Sequence, residues 1–570
     1  ERLSNVFVGE TPAALIRLRN WKSGPLSGTL NLDLRDSAGQ SVDRRQQAIS
    51  VESTAAVRVE LKAERFGLYT LKTGVELSDG TRQAVNLVCA KLPEQPQLSA
   101  EQKQRSPYGV NVNGGRSNLL LEPFRQAGIV WFRDYAFSLE WLQRARGDNR
   151  QYDGWPWYPS ILRRYADAGA LVLPCLMRSI QPPQIKDGKP VGRIGPDRQW
   201  IRDVADAVLA FPQPTHWELD NEYDLDRGHF DAESAVDWAN YRQYHRRFAE
   251  LLELLGGGEL TAVEQGPAGI WPQRVAAFVR SGDFEKIGVV NSHHYCGAEA
   301  PERNMGNWNT GFAGDFRSQP PMLFADRLRE VKRAAQLDGR KRESWLTEFG
   351  WDNLAGPKVT PYQQAAYLAR GWMLALGAGT DKCFWFYDYD APEPKQFFDG
   401  CGLFAADSSP KLALCSLAAM TSLLPNPEYV GSITAGAGTT GCVFRNGEEL
   451  VAALWSIDED DGPTVSFRAR ELRDWLGNRL PDLNAKLSLA PVYAVGLEPA
   501  DVWYRQTAYE LATPALLPVT AGDPVTPVVE IRNDRQTPLD CTLRLSVPSG
   551  WKAAQTEFTT RVPAGEVQPV

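Results

Sequence analysis

Two glutamates in this chain stand where carboxylates can do chemistry. Glu222 ends the run Thr215-His216-Trp217-Glu218-Leu219-Asp220-Asn221-Glu222, in which an apolar, β-prone stretch stops abruptly in an Asn–Glu pair. Glu348 stands the same way in Ser344-Trp345-Leu346-Thr347-Glu348-Phe349-Gly350-Trp351. A carboxylic acid at one strand end can protonate a leaving oxygen while a carboxylate at another attacks the acetal carbon. Together they can cleave a glycosidic bond with retention at the sugar carbon. Asn221, beside the acid, can hydrogen-bond the sugar 2-hydroxyl, a contact that strengthens in the transition state. Read singly, each glutamate is equally a charged residue capping a strand. The pairing is what points to chemistry.

Such a pair needs a rigid frame. From about 106 to 424 the pattern alternates strand and helix. Buried strands are expected at 108–112, 129–133, 171–174, 215–220, 260–263, 289–292, 345–347 and 383–386, with amphipathic stretches such as 158–168 and 234–255 between them. Eight β/α units of this size predict an α/β fold, a (β/α)8 TIM barrel whose chemistry lies at the C-terminal ends of the strands. The two glutamates then fall after strands 4 and 7. Residues 1–97 alternate at period two, as in Val57-Arg58-Val59-Glu60-Leu61, and predict an N-terminal β-sandwich ending in a Pro-containing linker. The barrel is assigned to 98–424, a β-domain packed on it to 425–500, and a C-terminal sandwich-like module to 501–570, which the end at Val570 would cut short.

A weak internal repeat supports all-β modules at both ends. Arg19-Asn20, Pro25-Leu26, Thr29-Leu30 and Leu32 match Arg532-Asn533, Pro538-Leu539, Thr542-Leu543 and Leu545 in ungapped register.

The pair of motifs resembles the clan A glycoside hydrolases. Trp217-Glu218-Leu219-Asp220-Asn221-Glu222 and Leu346-Thr347-Glu348-Phe349-Gly350 are most similar to the family 39 branch, with family 79 as the second choice. The resemblance implies Glu222 as acid/base and Glu348 as nucleophile. It implies Arg133 as support for the nucleophile, a histidine and a tyrosine after strand 6 in His293 and Tyr295, and a strand-8 tryptophan, Trp385, as floor of the first sugar subsite. Trp155 and Trp351, with Trp157, Trp271 and Trp308, fall in loops near the expected mouth and are candidate sugar platforms. Asp220 and Tyr223 depart from the family pattern. Asp220 is expected either to raise the acid's pKa with its charge or to pair with a base inside the barrel.

Composition narrows the partners. With 62 Lys and Arg against 70 Asp and Glu the net charge is −8, and no basic stripe suggests nucleic acid. No apolar run reaches the length of a membrane span. The eight cysteines are scattered without metal-ligand spacing, which argues against a structural zinc site. The double displacement that the resemblance implies needs no metal and no organic cofactor, and its partner is a carbohydrate. Free thiols and one or two disulfides are both compatible with the spacing. The chain opens at Glu1 rather than Met, which is compatible with a removed leader or with a start chosen inside a longer chain. The family resemblance, with sandwiches accompanying a sugar-degrading barrel, implies a secreted or periplasmic, extracytoplasmic setting. The competing reading is a non-catalytic carbohydrate-binding or scaffold protein on a silent barrel.

Overall fold

A computed structural model describes residues 3–113, 120–135, 137, 139, 159–186, 189–225, 234–303, 322–356, 358–436, 438–458, 461–499, 510–512, 524–533, 538–547, 550–564 and 566–570. Its centre is a closed barrel of eight parallel strands. In chain order these are Tyr108–Val112, Trp131–Asp134, Leu171–Leu176, His216–Leu219, Thr261–Val263, Ile287–Tyr295, Glu343–Gly350 and Lys382–Trp385, the eighth pairing back with the first. This is the order and strand number the sequence predicts.

Successive residues of a strand face opposite sides, so inward residues recur at every second position. One inward layer is apolar, built from Trp131, Leu173, Val263, Val289, Trp345 and Phe384. The first strand contributes Gly109 here because space demands it. A Cβ on Gly109 would lie 2.4 Å from the Phe384 ring. Two residues further along the strands the interior turns polar. Asn111, Arg133, Cys175, Glu218, Asn291 and Thr347 are all fully buried. Buried polar groups must be paired, and their pairing builds the site described below.

Helices cover the barrel where the sequence supplies caps. Thr360 and Gln363 form a capping box ahead of Pro361–Gly377, and Gly257, at φ 55°, closes Ala235–Gly256 in the left-handed conformation. Helix Leu412–Leu423 is almost wholly buried. The following β-domain is a five-stranded antiparallel sheet ordered Glu428–Ile433, Thr439–Asn446, Glu449–Ser456, Val492–Val495 and Glu471–Arg473. Glu302 ties it to the barrel, accepting from Arg370 Nε at 2.9 Å and from Trp455 Nε1 at 2.7 Å.

The N-terminal region is a sheet ordered Val6–Val8, Arg82–Leu92, Gly67–Leu77, Leu26–Arg35 and Ser41–Val51, faced by the pair Ala13–Arg19 and Thr54–Glu60. Leu30, Leu32, Leu34, Val59, Leu61 and Leu71 fill the space between. The internal repeat has a structural counterpart. Asn20 Nδ2 donates to Val51 O at 3.2 Å, and Leu26 pairs with Val51. In the C-terminal module Asn533 Nδ2 donates to Val562 O at 3.0 Å, and Leu539 pairs with Val562. The same asparagine thus clasps the same hairpin in both modules. All eight cysteines are free thiols, and no described helix is long and apolar enough to cross a membrane.

Candidate active site

The fourth barrel strand ends in a turn that breaks strand alternation. Asp220 and Glu222 both have left-handed backbones, φ 60° and 44°. Such conformations cost free energy in a non-glycine residue, least in Asp and Asn. The Asp220 carboxylate accepts from the backbone N–H groups of Arg178 (2.9 Å), Ile180 (2.7 Å) and Asn221 (2.8 Å). Glu222 N donates to Gly266 O at 2.8 Å. Asp220 therefore neither pairs with a base nor stands first among the charges acting on Glu222. It braces the loop after the third strand against the turn. The charge beside Glu222 from this segment is Asp224.

The seventh strand has its own irregularity. Trp345 and Thr347 face inward, and register slips between Leu346 and Phe349 and between Ser292 and His293 on the neighbouring strand. This bulge turns Glu348 toward the interior as well. Arg133 Nη1 donates to Glu348 Oε1 at 2.8 Å, the Tyr295 hydroxyl donates to Oε2 at 2.6 Å, and the Tyr135 hydroxyl donates to Oε1. Arg133 is held from behind by Glu218, Nε to Oε2 at 2.5 Å and Nη2 to Oε1 at 2.9 Å, and its Nη2 also reaches Asn221 Oδ1 at 2.7 Å.

The two carboxyls titrate in opposite directions. Burial, then the Glu348 charge and then Asp224, hold Glu222 well above the usual carboxylate range. Burial alone would raise Glu348 too. His293 in its charged form, the Arg133 guanidinium and the two tyrosine hydroxyls act against burial and hold Glu348 below its ordinary value. Between the two titrations one group is then a carboxylic acid and the other a carboxylate.

A directed chain of hydrogen bonds sets where the acid proton points. Glu218 accepts from Arg133 through both oxygens, so Asn291 Nδ2 donates to its Oε1 at 2.9 Å, and the Asn291 Oδ1 faces Thr347. The Thr347 hydroxyl donates to that oxygen at 2.7 Å. Its lone pairs then accept from His293 Nε2 at 3.0 Å. Burial pushes His293 down to about 4, so the ring is neutral near neutrality and has one donor only. His293 Nδ1 is left as an acceptor, 2.9 Å from Glu222 Oε1. This assignment follows from the network. It requires the proton on Glu222.

Arg133, Asn221, His293 and Tyr295 thus gather around Glu222 and Glu348. The two tryptophans behave differently. Trp385 is fully buried and points out of the barrel. Its ring stacks on Trp351 at 6.1 Å and its Nε1 donates to Cys401 O at 2.8 Å. Phe384 is the inward residue of that strand, so the phase puts Phe386, not Trp385, at the mouth. Phe386 packs edge to face on Tyr295 at 5.7 Å. Trp351 is equally buried, donating to Glu299 O at 2.9 Å, and is a packing residue rather than a platform. Trp155, with Trp157 and Trp308, lies outside the described residues. Tyr135, Glu218 and Thr347 were missed by the sequence reading. Each stands two residues along a strand from another inward residue, at 133, 216 and 345, and that spacing was the available signal.

Among the described residues, Glu222, His293 and Glu348 are the three whose donor atoms could together hold a metal ion, all within 4.8 Å of one another. The same atoms are already satisfied by the hydrogen bonds above. No protein-family model matches this sequence, and no curated protein matches it. Among solved structures the chain is similar to a family 39 glycoside hydrolase from the gut symbiont Bacteroides cellulosilyticus. Identity is 19%, coverage is 87% of this chain and 100% of that one, and the TM-score is 0.67. The fold is shared with a family 39 glycoside hydrolase. Looser likenesses include a family 30 endoxylanase from Clostridium papyrosolvens, at 11% identity over 69% of this chain and 96% of that one with a TM-score of 0.43. A Bacteroides uniformis β-glucuronidase matches at 13% identity over 99% of this chain and 60% of that one with a TM-score of 0.35.

Proposed function

We propose that this protein is a retaining β-glycoside hydrolase that cleaves an oligo- or polysaccharide by double displacement. One observation carries the reading. Glu222 and Glu348 offer carboxylate oxygens within 4.8 Å of each other. Retention calls for carboxyls about 5–5.5 Å apart, whereas inversion needs about 6.5–9.5 Å to admit a water. The opposite titration of the two groups supports the same division of roles. Glu348 attacks the anomeric carbon while Glu222 protonates the leaving oxygen. Glu222, now ionised, then takes a proton from water as that water releases the sugar from Glu348. The β-configuration and an extracytoplasmic setting rest on the resemblance to clan A.

The test uses aryl β-glycosides with wild type, Glu222→Gln and Glu348→Gln. Glu348→Gln is expected to lose turnover. Glu222→Gln should retain its first step only with a leaving group that needs no protonation. A 2-deoxy-2-fluoro glycosyl fluoride should label Glu348, and NMR should show the β-anomer as first product. Equal rates in all three proteins would favour the scaffold reading instead.

A further inference from the structure

The two oxygens of Glu348 look onto different surroundings. Oε1 faces Arg133, at 2.8 Å from Nη1, and through Arg133 Nη2 the side chain of Asn221, at 2.7 Å. Oε2 faces Tyr295, 2.6 Å from its hydroxyl, with His293 Nδ1 at 3.6 Å on the Glu222 side. The Tyr295 ring is walled by Phe398, edge to face at 4.7 Å, and by Phe386 at 5.7 Å, and these two rings meet each other at 5.7 Å. Phe398 is 38% exposed.

Phe398 is also strained, with φ 97°, a conformation that bulky residues rarely adopt. Asp352 holds it there. Its Oδ2 accepts from Phe398 N at 3.0 Å and from Gly400 N at 2.8 Å, while Oδ1 accepts from Leu354 N and Ala355 N at 2.7 Å each. A half-exposed aromatic ring kept in a costly conformation by a buried carboxylate, against the ring that supports the nucleophile, marks a functional position.

The position can be read in terms of the sugar, given the roles proposed above for Glu222 and Glu348. The anomeric carbon lies at Glu348 and the 2-hydroxyl toward Asn221. In a pyranose C2 and the ring oxygen leave C1 in opposite directions, so the ring oxygen and C5 extend to the Oε2 side, over Tyr295, Phe386 and Phe398. Phenyl rings give a hydroxyl or carboxylate no hydrogen-bond partner, and a methyl group packs on them without penalty. We infer that Phe398 and Phe386 form a C5-side wall that selects a 6-deoxyhexoside over the matching hexoside and hexuronide.

The experiment compares kcat/KM on two trios of 4-nitrophenyl glycosides that differ only at C5. One trio is β-D-fucoside, β-D-galactoside and β-D-galacturonide. The other is β-D-quinovoside, β-D-glucoside and β-D-glucuronide. In the faster trio the 6-deoxy member should lead the hydroxymethyl member by about ten-fold or more, with the uronide slowest. Phe398→Gly relieves the backbone, so its Tm should hold or rise while that preference collapses toward unity. A packing role alone would move Tm down and leave the preference in place. A leading hexoside or uronide overturns the inference and leaves the reaction assignment standing. So does a preference unchanged in both Phe398→Gly and Phe386→Ala. No turnover of any of the six also ends it, and labelling of Glu348 by the fluoro-sugar then shows whether the reaction assignment falls with it.

Discussion

Thr347→Val tests the proton chain with almost no change of shape. Thr347 is fully buried, and valine fills its volume without the hydroxyl. The wild-type hydroxyl accepts from His293 Nε2 at 3.0 Å and so leaves Nδ1 as an acceptor for the Glu222 proton. Without it, the other tautomer loses its disadvantage. Nδ1–H can then donate to an ionised Glu222, which lowers that group's pKa. The bias removed is that of one neutral hydrogen bond, about 0.5–1.5 kcal/mol. At about 1.36 kcal/mol per pKa unit, the alkaline limb of kcat/KM should move down by roughly 0.4–1 pH unit. The acid limb, set by Glu348 against Arg133, Tyr135 and Tyr295, should stay. The profile is measured with a phenyl glycoside, whose departure needs the acid. A dinitrophenyl glycoside, which does not need it, serves as control, and Thr347→Ser should restore the wild-type profile. An alkaline limb that does not move, or two limbs that slide together, would refute the tautomer argument.

Gly266→Ala should be a catalytic lesion without a stability lesion of the same size. Its Cβ would lie 1.9 Å from His293 Nε2, so the ring must leave Thr347, and kcat/KM should fall about 10²-fold while the thermal melt shifts little. Glu218→Gln removes the carboxylate behind Arg133 and leaves a buried guanidinium short of charge, a loss of about 3–5 kcal/mol, and an unchanged urea midpoint would count against that pairing. Asp220→Asn keeps a single acceptor oxygen for the backbone N–H groups of Arg178, Ile180 and Asn221, among others. It should cost about 1–3 kcal/mol and lower activity, both absent if the brace is unimportant.

The barrel was legible because each strand is a short apolar run with turn residues at its ends, and eight such runs admit few arrangements. The glutamates were legible as strand ends. What failed was phase. Counting inward from Phe384 puts Phe386, not Trp385, in the mouth, but an aromatic run such as Phe384-Trp385-Phe386 gives no polar residue to mark the outward face. Glu348 is the converse. Thr347 and Glu348 both face the interior only because a bulge adds a residue there, and nothing in Leu346-Thr347-Glu348-Phe349 announces a bulge. Arg133 was found through the family resemblance, whereas Tyr135, on the same face two residues later, had no such flag. Glu218 passed for a strand residue because its partner, 85 positions away, is visible only in the closed barrel.

The Asp-Asn-Glu turn explains why two adjacent residues can serve one site. On a regular strand Asn221 and Glu222 would point to opposite faces, one into the cleft and one into the helix layer. Left-handed backbones on either side of Asn221 cancel that alternation. They bring Asn221 to Arg133 and Glu222 to His293 on the same mouth. Each such residue costs on the order of 1–3 kcal/mol and persists only if its surroundings enforce it. Asp is among the side chains that best tolerate the conformation, and here its carboxylate also supplies the enforcement, gathering backbone donors from Arg178, Ile180 and Asn221. The departure from the family pattern at Asp220 is thus a local solution to a backbone problem. Any residue there must tolerate a positive φ and satisfy Arg178, Ile180 and Asn221. Glycine would meet the first demand and fail the second, so Asp220→Gly should fold without strain at 220 yet lose the loop at 178–180. Hydrogen exchange of the Ile180 amide would read this directly. Unchanged protection there would mean that the brace lies elsewhere.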